Sequence, residues 1–174
     1  MLSRSQAVLR ALVVVATVGA CAVTLAASLS PLWIAAALLV GLSVWVALNP
    51  SSRLAFVLVL GLAVHWLVTV PVPHTTSAWL LTLVTAVLLL AVHLCTSLAA
   101  ALPPQAPLPG LTIRRWTRRA ALVVLACCPV WAVSVAVSRT GEPGRGTFTY
   151  AALAGTALLA LALWLASREQ PHPS

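Results

Sequence analysis

The chain has 174 residues, of which 61% are hydrophobic and only 7% charged, and its formal net charge is +8. A mean hydropathy of +1.06 lies far outside the soluble range, so a water-exposed fold around a single core is excluded. There is no aspartate or lysine, and Glu142 and Glu169 lie outside the apolar runs, which removes acid-lined proton relays, carboxylate metal cages and paired-acid glycoside chemistry from those runs.

Six apolar runs succeed one another, near positions 11–28, 32–48, 54–70, 79–102, 120–138 and 150–166. Each approaches the ~20 apolar residues that a bilayer-crossing helix needs, and the alternating strands of a barrel are missing. The expected fold is all-α: one polytopic transmembrane domain, a six-helix bundle in the cell membrane. The first run also resembles a signal peptide, with Val18-Gly19-Ala20-Cys21 matching the loose pattern before a lipidated cysteine. The residues after Cys21 are still apolar, so the expectation is a retained helix; cleavage before Cys21 would leave five spans.

The breaks between runs differ in chemistry. Pro31 and Pro50 punctuate tight turns, and positions 70–77 form a short uncharged loop with Pro71, Pro73 and His74. Positions 102–110, "LPPQAPLPG", read as an extended polyproline-like link. The segment "SRTGEPGRGTFTY" reads as a glycine-rich loop, and Pro129 is expected to kink the fifth span.

Arginine placement sets an orientation. With the N-terminus cytoplasmic, Arg4, Arg10, Arg53, Arg114, Arg115, Arg118, Arg119 and Arg168 fall inside, leaving only Arg139 and Arg145 outside. Both termini are therefore expected in the cytoplasm. Trp33, Trp79 and Tyr150 then mark outer ends, and Trp45, Trp116 and Trp164 inner ones, while Trp66 and Trp131 lie deeper. This distribution accounts for the positive charge without nucleic acid as a partner.

Arg114, Arg115, Arg118 and Arg119 share one side of a short helical stretch and, with Trp116, are expected to form a collar at the headgroups. The collar fixes topology, and anionic lipid is a candidate partner beside the bilayer itself. In the fourth span, Thr82, Thr85, His93, Thr96 and Ser97 form a polar stripe expected to face other helices and to place this span centrally. His65, His93, Thr96 and Ser97 make up the candidate intramembrane polar site. A haem between His65 and His93 is disfavoured by a depth difference of about 12 Å, and a metal at His93, Cys95, Cys127 and Cys128 by divergent helical directions. No cofactor or metal is expected. Small residues four apart, Ala37 with Gly41 and Ala151 with Gly155, suit close helix contact.

Residues 92–121, "VHLCTSLAAALPPQAPLPGLTIRRWTRRAA", resemble a segment of small uncharacterised actinobacterial integral membrane proteins, encoded beside MoxR-type ATPase and DUF58 genes. The resemblance implies an envelope-associated assembly role and no chemistry. Two functions are therefore expected: a non-enzymatic membrane subunit or scaffold of an envelope-associated complex with a membrane-protein partner, or a small transporter or channel subunit using the polar face of the fourth span.

Overall fold

The computed structural model of the chain describes residues 3–103, 105 and 110–139, with side chains through Ala136. The sixth apolar run, the glycine-rich loop beyond Arg139, Tyr150, Trp164, Arg145, Arg168, the Ala151 and Gly155 pair, and most of the proline link lie outside the described residues, while Ser138 and Arg139, read as the start of that loop, end the last described helix.

The described residues form five α-helices and no strand: α1 (Arg4–Ala27), α2 (Trp33–Leu48), α3 (Leu54–Thr69), α4 (Thr76–Ala101) and α5 (Gly110–Arg139). Three are long and apolar enough to cross a membrane, namely α1 with 24 residues, α4 with 26, and α5 over the 27 residues Gly110–Ala136. Helices α2 and α3 have 16 residues each, about 24 Å at 1.5 Å per residue, which is short of the ~30 Å hydrocarbon thickness.

Capping explains two boundaries. Ser3 starts α1 seven residues before the first apolar run, because its hydroxyl accepts the Gln6 amide at 3.3 Å in a Ser-x-x-Gln pattern. Thr75 does the same for α4, accepting the Ala78 amide at 3.2 Å. Helix α5 begins ten residues before its apolar run, so the arginine-bearing stretch is its first turns rather than a separate helix. It also continues through Pro129. Ser134 donates to Val130 O at 2.8 Å and Cys128 to Val124 O at 3.4 Å, so neither takes the Leu125 carbonyl that proline leaves without its helical donor.

Contacts divide the chain into two compact units, Met1–Ala120 and Ala121–Ser174, with the boundary inside α5. In the first unit α1 packs against α4 most extensively, then against α2 and α3. Gln6 reaches the Leu102 carbonyl while Gly19 lies against Leu88, so α1 and α4 run antiparallel in one register. Arg10 meets the Leu48 carbonyl at 3.2 Å and Cys21 the Ala36 carbonyl at 3.9 Å, which fixes α1 and α2 as an antiparallel hairpin. The α2 terminus thus stops level with Arg10, about 9 Å along the axis from Arg4.

The core of this unit is built from Val13, Ala16, Ala20 and Cys21 of α1 with Val46, Leu58, Leu62 and Val92 from its three neighbours. Helix α1 supplies the most buried face of the three long helices. The polar stripe had suggested α4 as the centre; the structure puts α1 there. Helices α2 and α3 approach tightly at Gly61, where an added Cβ would sit 2.8 Å from Leu39 Cδ2.

Candidate functional site

Most threonines buried in the described helices bond to their own helix. Thr96 donates to Val92 O and His93 O at 2.8 and 2.9 Å, and Thr82 to Ala78 O at 3.0 Å, so these members of the α4 stripe close onto their own helix. Thr17 and Thr24 of α1 and Thr69 of α3 do likewise. The expected interhelical hydrogen bonds from Thr82 and Thr96 are thus replaced by bonds to the preceding turn. Thr85 is the exception, buried with its hydroxyl unpartnered.

The four residues of the candidate intramembrane site lie on two helices and differ in exposure. His65 is buried on α3 with both ring nitrogens lacking a hydrogen-bond partner, whereas His93 is exposed on α4. Thr96 is buried and Ser97 half-buried on α4. Cys21 is buried against α2, Cys95 is half-buried on α4, and Cys127 and Cys128 are exposed on α5 in the second unit. Among the described residues no group of three or more metal-ligating side chains comes together.

The arginine collar is also rearranged. At 100° per residue, Arg114, Arg115, Arg118 and Arg119 cover one side of α5, and all four are exposed. Trp116 lies on the opposite side and is half-buried, so it does not belong with them. The first turns of α5 are therefore amphipathic, basic on one face and apolar on the other.

That apolar face closes a cleft of about 530 Å³ within the first unit. Ile113, Trp116, Thr117 and Ala120 of α5 line it at the i, i+3, i+4, i+7 spacing of one helical face. Helix α1 contributes Ser5, Val8, Leu9 and Leu12 with the same spacing. Opposite them stand Ala91, Leu94, Cys95 and Leu98 of α4, again the same four-position face. Arg4 is the single charged residue in the wall. Of this surface the sequence picks out Arg4, Cys95 and Trp116, each for another reason, although the matching quartets are readable in each helix once its register is known.

A second feature lies on α2. Ile34, Leu38, Val44, Trp45 and Leu48 form an outward stripe, 47 to 79% exposed, that also carries Ala37 and Gly41. A Cβ added to Gly41 would meet nothing within 4 Å. The Ala37 and Gly41 pair, expected to bring two helices together, is therefore not used by the helix contacts of its own unit.

No family model, curated protein or solved structure matches the chain.

Proposed function

We propose that the protein is a non-enzymatic, multi-pass subunit or scaffold of an envelope-associated complex in the cell membrane, docking a partner membrane protein through the outward face of α2. The observation that carries this reading is the open Ala37 and Gly41 track, flanked by Ile34, Leu38 and Trp45. In a bilayer, lipid tails are as apolar as leucine, so helices associate by close van der Waals fit, and small residues four apart permit it. Within the unit that fit is made at Gly61 instead.

In this reading the chain crosses the membrane six times with both termini cytoplasmic, the sixth crossing being the run at 150–166, and the arginine side of α5 holds the inner headgroup zone. The short α2 and α3 hairpin, with Arg53 at its turn, is accommodated by local thinning or by contact with the partner. The resemblance over residues 92–121 supports a bacterial envelope setting. A transport path along the α4 stripe is the weaker reading, because Thr82 and Thr96 spend their hydroxyls on their own backbone and His93 faces away from the core.

Purification in mild detergent from the native membrane tests the proposal. A stoichiometric partner that is retained by the native chain and lost from Gly41→Leu is the expected result. Repeated isolation of the chain alone would overturn it.

A further inference from the structure

The cleft between α1, α4 and the start of α5 is sealed by none of these helices, and its shape decides what fits. It runs from Arg4 to Leu12 along α1, about 12 Å, and holds about 530 Å³. Water is unsuited to it, since the walls are almost wholly apolar and offer few of the two to four polar partners an ordered water requires. The volume falls within the about 300–1,000 Å³ of ligand pockets, and its apolar lining suits a hydrocarbon chain.

The mouth adds a charge requirement. Arg4 sits at the first turn of α1, where the helix dipole also places partial positive charge. The Arg4 side chain is exposed. Ser5 and Thr117 also line the cleft, but almost all of its wall is apolar, with Leu12, Ala91 and Leu94 among the side chains that form it. Apolar depth beneath a cationic rim is the complement of an amphiphile with an anionic head.

We propose that this cleft binds one anionic phospholipid, an acyl chain lying between Leu9, Leu94 and Trp116 and the headgroup phosphate on Arg4. The lipid then serves as the packing element between the first turns of α5, up to Ala120, and the α1–α4 pair. This site differs from the exposed face of Arg114, Arg115, Arg118 and Arg119, which points away from the cleft and contacts bulk headgroups. The inference does not depend on the α2 docking face, and its test is independent of any partner.

Native mass spectrometry of the full chain, released from nanodiscs of equimolar phosphatidylglycerol and phosphatidylcholine, is the direct test. The native chain should retain one phosphatidylglycerol, and Arg4→Gln should lower its preference over phosphatidylcholine about fivefold, the effect of about one cation near anionic lipid. Leu94→Trp, which fills the cleft, should release bound lipid of both kinds. Arg118→Gln, on the opposite face, should leave the retained lipid unchanged. Retention and preference unaffected by Arg4→Gln, or reduced equally by Arg118→Gln, would overturn the site and indicate ordinary surrounding lipid. Should Leu94→Trp fail to fold, the exposed Arg4 and Arg118 substitutions still decide the matter.

Discussion

Two glycines on neighbouring short helices should respond in opposite ways to the same substitution. At Gly61 an added Cβ would lie 2.8 Å from Leu39 Cδ2, well inside the ~3.5–4.0 Å optimum for carbon contacts. Gly61→Ala can be absorbed by rotating Leu39, at about 0.5–1.5 kcal/mol, against a helix-propensity gain of about 1 kcal/mol, so its net effect should be near zero. Gly61→Leu places further carbons where Leu39 already sits and should cost about 1–3 kcal/mol or more by overpacking. At Gly41 nothing lies within 4 Å, so Gly41→Leu should leave the isolated chain as stable as the native one or slightly more so. Thermal unfolding in mild detergent, monitored by tryptophan fluorescence, gives the ranking. Gly41→Leu destabilised as strongly as Gly61→Leu would show that Gly41 is packed within its own unit and would remove the basis for the docking face.

Three further outcomes rest on the same structure and sequence. Gln6 is fully buried, its Nε2 reaches the Leu102 carbonyl only at 3.5 Å and its Oε1 has no partner, so Gln6→Leu should raise thermal stability by relieving about 1–3 kcal/mol of unsatisfied burial; a clear loss would mean the long hydrogen bond matters more. Cysteines introduced singly at Ser3 and Ser174, in a variant lacking the four native ones, should label from the cytoplasm and one at Gly144 from outside; the reverse pattern refutes the orientation, although Gly144 and Ser174 lie outside the described residues. Converting Arg114, Arg115, Arg118 and Arg119 together to glutamine should misorient the chain beyond them, seen as altered Gly144→Cys labelling, and normal insertion with loss of a partner would reclassify that face as a binding surface.

The helical segments were legible because apolar length is a strong signal. The runs at 32–48 and 54–70 end within one residue of α2 and α3. Helix starts were less visible, since Ser3 with Gln6 and Thr75 before α4 act through single side-chain caps rather than through hydropathy. The centre was misplaced for a physical reason. Thr82, Thr85 and Thr96 look like interhelical glue on a helical wheel, yet a threonine hydroxyl in a helix readily bonds the carbonyl four residues back, as Thr82 and Thr96 do. The dominant α1 and α4 pairing joins residues such as Gln6 and Leu102, and no local periodicity records a contact of that separation.

The candidate sites divided similarly. The arginine side of α5 is set by spacing alone, and the same 100° per residue places Trp116 on the other face. The cleft needs three helices in register before its lining exists, so it was beyond a reading of single segments. Ala37 and Gly41 read as a close-contact pair from their spacing, but only the structure shows that Gly41 makes no such contact within the unit.

The central claim is that the outward face of α2 docks a membrane protein. Photo-crosslinking in intact native membranes, from a reactive residue placed at Leu38 beside the Ala37 and Gly41 track, tests it most directly, with the buried Leu58 as the control position. The account predicts a protein adduct of one defined mass from position 38, absent from position 58 and abolished when Gly41→Leu is added. Adducts to lipid alone from position 38, unchanged by Gly41→Leu, would contradict it.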